Sequence, residues 1–126
     1  MIFGIGTDIV CIKRVADSLE RYGDKFAERI LSSVEFKLYQ SSEQGARYLA
    51  KRFAAKEATA KAMGTGFSEG LSLKDIFVTN DDKGKPILNY ADQAKHFIEA
   101  NNIIESHLSL ADEQEYVVAF VTLIKK

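Results

Sequence analysis

Apolar residues crowd the first twelve positions of the chain, where Ile2, Phe3, Ile5, Ile9, Val10 and Ile12 are punctuated by Gly4 and Gly6. This pattern predicts a strand from Met1 to Ile12, and the two glycines permit a bend or the close approach of another group. Asp8 then falls near the end of a buried element. A helical rhythm follows from Val15 to Tyr22. Ser32-Ser33-Val34-Glu35 has the spacing of a capping box and predicts a further helix running toward Tyr39.

The strongest helical signal runs from about Gly45 to Met63, an alanine-rich stretch without internal glycine or proline that ends at Gly64, with a second glycine at Gly66. At 100° per residue, Leu49, Phe53, Ala60 and Met63 form one stripe, with Glu57 and Lys61 side by side along its border. Lys56 falls inside the apolar stripe. A lysine there must snorkel, pair with an acid or reach a ligand, and snorkelling is the leading structural expectation. Leu71 to Thr79 and Pro86 to Tyr90 read as strands around the turn Asn80 to Lys85, and Ala91 to Ala100 as a helix. The chain returns to strand at His107 to Leu110 and Tyr116 to Ile124. The last of these is apolar on both faces, Val117, Ala119, Val121 and Leu123 interleaving Tyr116, Val118, Phe120 and Ile124, which predicts cover on both sides, by packed layers or by another subunit.

Composition narrows the class. With 126 residues, 46 % hydrophobic and 28 % charged, and with a single proline, the chain is expected to be one globular domain spanning 1–126. Cys11 is the only cysteine, so no intrachain disulfide is expected and a reducing, cytoplasmic setting is the natural reading. The apolar run at the C-terminal end is too short to span a bilayer, and no membrane role is expected. Charge is uneven although the net value is -1. Arg47, Lys51, Arg52, Lys56 and Lys61 face only Glu57 between 47 and 61, whereas Asp92 to Glu115 is strongly acidic. That segregation suits a local anion site and argues against a nucleic-acid coat.

Asp8 and Glu57 are the candidates for chemistry. Two carboxylates can hold a hard divalent cation whose other positions are filled by phosphate oxygens and water. Lys61, four residues after Glu57, lies on nearly the same helical face and suits a phosphoryl group or a leaving group. Backbone amides around Gly64, Thr65 and Gly66, together with Arg52, Lys56 and Lys85, are candidates for nucleotide phosphates. Each has a plainer explanation: Glu57 and Lys61 also form an ordinary i,i+4 pair, and Asp8 could cap a turn. Gly4-Ile5-Gly6-Thr7-Asp8-Ile9 is not a dinucleotide fingerprint, because Ile9 stands where the third glycine belongs.

In order and spacing, several segments resemble the small bacterial holo-acyl-carrier-protein synthases, a family of 4'-phosphopantetheinyl transferases. They are Gly4 to Val10, Arg29-Ile30-Leu31-Ser32 with Glu35, Leu49 to Ala58, Lys61 to Gly66, Gly84-Lys85-Pro86, and Leu108 to Glu113. The resemblance implies an α+β fold with an antiparallel-rich sheet packed on a long central helix, assembling as a homotrimer with sites between subunits. It implies transfer of 4'-phosphopantetheine from coenzyme A to a serine of apo acyl carrier protein, with release of adenosine 3',5'-bisphosphate. Asp8 and Glu57 match the family's magnesium ligands, and Pro86 joins Lys85 among the expected coenzyme A contacts. Either Glu57 or a water on the cation fits the role of proton acceptor. The family docks its acidic carrier protein on the first helix, where Arg14 and Arg21 are the basic residues least accounted for by pairing with neighbouring acids. Some relatives carry a histidine where this chain has Asp112, so no role passes to that position, and His96 and His107 are expected to be structural or exposed. Two competing functions remain distinct in their predictions: a non-catalytic oligomeric module that binds an acidic protein, and a nucleotide hydrolase that consumes coenzyme A without a carrier.

Overall fold

A computed structural model describes residues 1–68 and 70–126. Along the chain run β1 (Ile2–Cys11), α1 (Ile12–Tyr22), α2 (Asp24–Ile30), α3 (Ser33–Ser41) and α4 (Gly45–Met63). A 3₁₀ turn (Leu73–Asp75) leads to β2 (Ile76–Asn80), β3 (Pro86–Tyr90), α5 (Asp92–Ala100), β4 (Ile103–Asp112) and β5 (Tyr116–Lys125). The strands form two antiparallel sheets, β1-β5-β4 and the hairpin β2-β3. The predicted α+β class is therefore observed, with the expected single sheet divided in two.

Helix α4 is the centre of the fold. It packs across β1 and β5 on one side and against α1 and β2 on others. Eleven of its nineteen residues are buried, so a one-stripe amphipathic pattern understates how far it is enclosed. Gly64 ends it in the left-handed region (φ 82°), as the glycine at that point predicts. Gly4 and Gly6 allow β1 to lie directly on the helix backbone, since a Cβ at either position would collide with the carbonyl oxygen of Ala62 or Ala58. Their use is close approach rather than bending.

Alternation in β5 is sharp. Val117, Ala119, Val121 and Leu123 are fully buried against α4, while Tyr116, Val118 and Phe120 point outward. Register places Ile9 beside Val118 and Thr7 beside Phe120 on that outer face, with Ile9 64 % and Phe120 41 % exposed. Within one chain, then, only one of the two apolar faces is covered.

Other expectations are met or corrected locally. The capping box is present: the Ser32 side chain accepts from the Glu35 amide, and the Glu35 carboxylate accepts from the Ser32 amide. The strand predicted from Leu71 begins only at Ile76, because Ser72 and Asp75 cap a 3₁₀ turn between them. Helix α1 starts at Ile12 instead of Val15. Helix α2, which the apolar pattern does not announce, follows a break at Gly23, whose φ of 69° favours glycine. Among the described residues no helix is long and apolar enough to cross a membrane.

Candidate active site

Asp8 sits on the α4-facing side of β1, opposite Ala119 of β5. Lys61, in the last turn of α4, donates to Asp8 Oδ1 at 2.9 Å and to the Thr7 carbonyl at 3.0 Å. Glu57 lies one helical turn earlier. Its carboxyl is held above the usual glutamate range, first by burial and then by the negative charge of Asp8, with Lys61 opposing both. The two acids, distant in sequence, thus sense each other across the strand–helix contact. Among the described residues no cluster of three or more His, Cys, Asp or Glu side chains is arranged around a metal position. The site is instead a pair of hard oxygen donors with a surplus of negative charge, which fits a divalent cation completed by ligand oxygens.

Asp8 and Glu57 line one end of a cleft of about 300 Å³ between β1, α1, α2 and α4. Val15, Phe26, Ile30 and Phe53 make much of its wall, and Arg14 and the half-buried Cys11 also line it. Arg14 therefore lines the same cleft as the acids. Arg21 is exposed at the far end of α1, 5.3 Å from the Tyr22 ring centre. Lys13, by contrast, is paired with Asp17 at 3.1 Å.

A second, polar pocket of about 380 Å³ opens between the N-terminal half of α4, the β2–β3 turn and the end of β4. Arg52 and Pro86 line it, joined by Arg47, Tyr48, Lys51 and Asp112. The Arg52 guanidinium lies 4.8 Å from the Tyr48 ring centre and donates to Asn80 at 3.2 Å. Its Nε and the Tyr48 hydroxyl are both buried, and neither has a hydrogen-bond partner among the described residues. Asp112 accepts from Arg47 at 2.7 Å and lies 3.5 Å from Lys51. The adjacent Arg47 guanidinium holds its carboxyl below the usual aspartate range. The basic run from Arg47 to Arg52 carried this signal in the sequence, but the partnership with Asp112 spans 65 positions.

Lys56 is the principal correction. It neither snorkels nor faces a pocket: its ammonium group is wholly buried and donates to Glu35 at 2.8 Å and to the carbonyls of Leu73 and Ile76. Burial pulls its pKa below the usual lysine range, while Glu35 opposes that shift. With its three donors engaged, Lys56 is removed from the candidate phosphate ligands. Thr65 lines a separate hollow of about 240 Å³ with His96 and Phe97, and Gly64 and Gly66 flank it in left-handed conformations. Lys85 is exposed on the β2–β3 turn, its backbone amide donating to Asp81. His96 and His107 are both exposed, the latter 3.0 Å from Glu105.

Residues 4–121 match the family model described as the 4'-phosphopantetheinyl transferase superfamily. A holo-[acyl-carrier-protein] synthase from Aliivibrio salmonicida is 51 % identical over 120 residues, covering 95 % of each chain. The crystal structure of the corresponding synthase from Neisseria meningitidis superposes with a TM-score of 0.94 at 42 % identity, covering 99 % of this chain and 100 % of its own. A Bacillus anthracis holo-(acyl-carrier-protein) synthase, crystallised in complex with CoA (3',5'-ADP), gives a TM-score of 0.83 at 40 % identity, with 100 % and 99 % coverage.

Proposed function

The chain belongs to the 4'-phosphopantetheinyl transferase superfamily, and on that premise we propose which of its residues perform the transfer. The reaction moves 4'-phosphopantetheine from coenzyme A to a serine of apo acyl carrier protein, giving the holo carrier and adenosine 3',5'-bisphosphate. Asp8 and Glu57 would hold magnesium, and the single observation that carries this is geometric: the two acids, 49 positions apart in the chain, line one cleft, with Lys61 on Asp8 as their neighbouring cation. Two acids brought together at a cleft, short of positive charge, fit a cation better than they fit a structural role.

Bound magnesium supplies Lewis-acid polarisation of the diphosphate. The protein supplies the rest. Lys61, already within 2.9 Å of Asp8, places an ammonium group where charge develops on the phosphoryl oxygens and the leaving group. Arg52 and Tyr48 line the pocket proposed for the nucleotide end of coenzyme A, with Pro86 and Lys85 on the neighbouring turn. The Gly64 to Gly66 segment stays among the candidate phosphate contacts through its backbone amides.

Arg14 and Arg21 form the docking face for an acidic carrier, and the position of Arg14 beside the cleft would direct the carrier serine toward the acids. The exposed apolar face of β1 and β5 is where identical subunits associate into a trimer, covering Ile5, Ile9, Val118 and Phe120. The whole span 1–126 acts as one transferase domain.

The decisive experiment combines purified protein, coenzyme A, magnesium and apo carrier, with mass spectrometry of the carrier. The native protein adds one phosphopantetheine, and Glu57→Gln lowers the rate by about 10³-fold, the equivalent of several kcal/mol of lost charge stabilisation, without lowering the melting temperature. A near-native rate in that variant would remove Glu57, and the metal reading with it. Coenzyme A consumed in the absence of carrier would favour the hydrolase reading.

A further inference from the structure

We infer that the buried Glu35–Lys56 pair is a positioning device for Glu57, an inference that rests on Asp8 and Glu57 being the cation's ligands. Lys56 and Glu57 are consecutive on α4, so their side chains leave the helix about 100° apart. One is buried in the core and the other lines the cleft it shares with Asp8. Whatever fixes the direction of the first fixes that of the second.

The fixing is done by hydrogen bonds. Glu35, at the start of α3, accepts from Lys56 and the Ser32 amide through one oxygen and from the Val78 amide of β2 through the other. Lys56 reaches on to the Leu73 and Ile76 carbonyls. Helix α3, the 3₁₀ turn and β2 are thereby tied to one point on α4. Both side chains are 0 % exposed. Elsewhere the buried surface of α4 is largely alanine, at Ala50, Ala54, Ala55, Ala58 and Ala62. Methyl groups set how near the helix lies to its neighbours but offer little resistance to rotation about its axis.

Energetics favours orientation over stability as the purpose. Removing two charges from water offsets most of their attraction, and apolar replacements of such pairs are often neutral or stabilising. What an apolar pair would not supply is a network of five directional bonds, three of them made by the residue next to Glu57 and two more by its partner Glu35. A group that orients a metal ligand from behind changes metal affinity when altered, commonly by about 10- to 100-fold.

The test uses Glu35→Gln, which removes the charge at constant size, and Glu35→Asp, which keeps the charge but withdraws it by one methylene. Manganese is titrated into each protein with coenzyme A present and carrier absent, the free ion being read by electron paramagnetic resonance, with metal-free melting curves in parallel. Both folded variants are expected to bind manganese about 10- to 100-fold more weakly than the native protein, and high magnesium should restore their transfer rate. Native manganese affinity in either folded variant overturns the inference, as does affinity lost only in step with the unfolded fraction. No manganese binding by the native protein would instead overturn the metal reading beneath it.

Discussion

Two of the lysine–carboxylate pairs on helix α4, Lys56–Glu35 and Lys61–Asp8, have lysines five residues apart and almost nothing else in common. Lys56–Glu35 has no solvent exposure at either side chain, whereas Lys61–Asp8 leaves the lysine 53 % and the aspartate 16 % exposed at a cleft. The buried pair saturates its donors inside the protein. The exposed pair has one lysine beside two acids, so on the proposed reading a cation would compete for Asp8 and free the ammonium for phosphate. Similar residue types at similar distances thus form a permanent joint in one place and a working contact in the other, and desolvation is the difference.

Breaking each pair should expose that contrast. The largest effect is expected from Lys56→Met, which strands the Glu35 carboxylate in the core and should cost roughly 3–5 kcal/mol of stability, measured by urea denaturation. Lys61→Met should do the reverse: a change in stability of under about 1 kcal/mol, but a transfer rate lowered by roughly 10²-fold, equivalent to about 2.7 kcal/mol of transition-state stabilisation. A Lys61→Met protein that transfers normally, or a Lys56→Met protein that melts normally, would erase the distinction.

Acid sharpens the comparison with a smaller effect. Because the native Glu57 carboxyl titrates above the ordinary glutamate range, the folded protein binds more protons than the unfolded chain between those two values. Acidification through that window should therefore stabilise the metal-free protein at this group while weakening magnesium binding, since the cation needs the carboxylate. Carboxyl NMR titration of Glu57 with and without magnesium would register both trends. A Glu57 value at or below that of an unfolded glutamate would contradict the expectation.

The sequence made the members of the exposed pair easier to find than those of the buried one, though it did not announce that they pair. Asp8 behind a glycine-spaced strand, and Glu57 with Lys61 on one helical face, are local patterns that the fold brings together at the end of the strand–helix contact. Lys56 in an apolar stripe was visible as an anomaly, yet its partner Glu35 lies 21 positions away and already had a sufficient local explanation in the capping box. Nothing nearby in the chain showed that one carboxylate serves both purposes. Helix α2 was missed because its break at Gly23 depends on a positive φ more than on hydrophobic spacing, and the Arg47–Asp112 contact because its partners lie 65 positions apart. The two-faced character of β5 was legible, but only the fold separated its core face from its outward one.

Gly4 and Gly6 give the strand–helix contact a consequence for assembly. Because backbone meets backbone there, no side chain can act as a spacer to be trimmed or swelled, and the gap is fixed by peptide geometry alone. The two segments lie some fifty positions apart, so this gap closes only once a large loop has been drawn in. A chain in which that contact had not closed would own every reactive group and still hold Asp8 apart from Glu57 and Lys61.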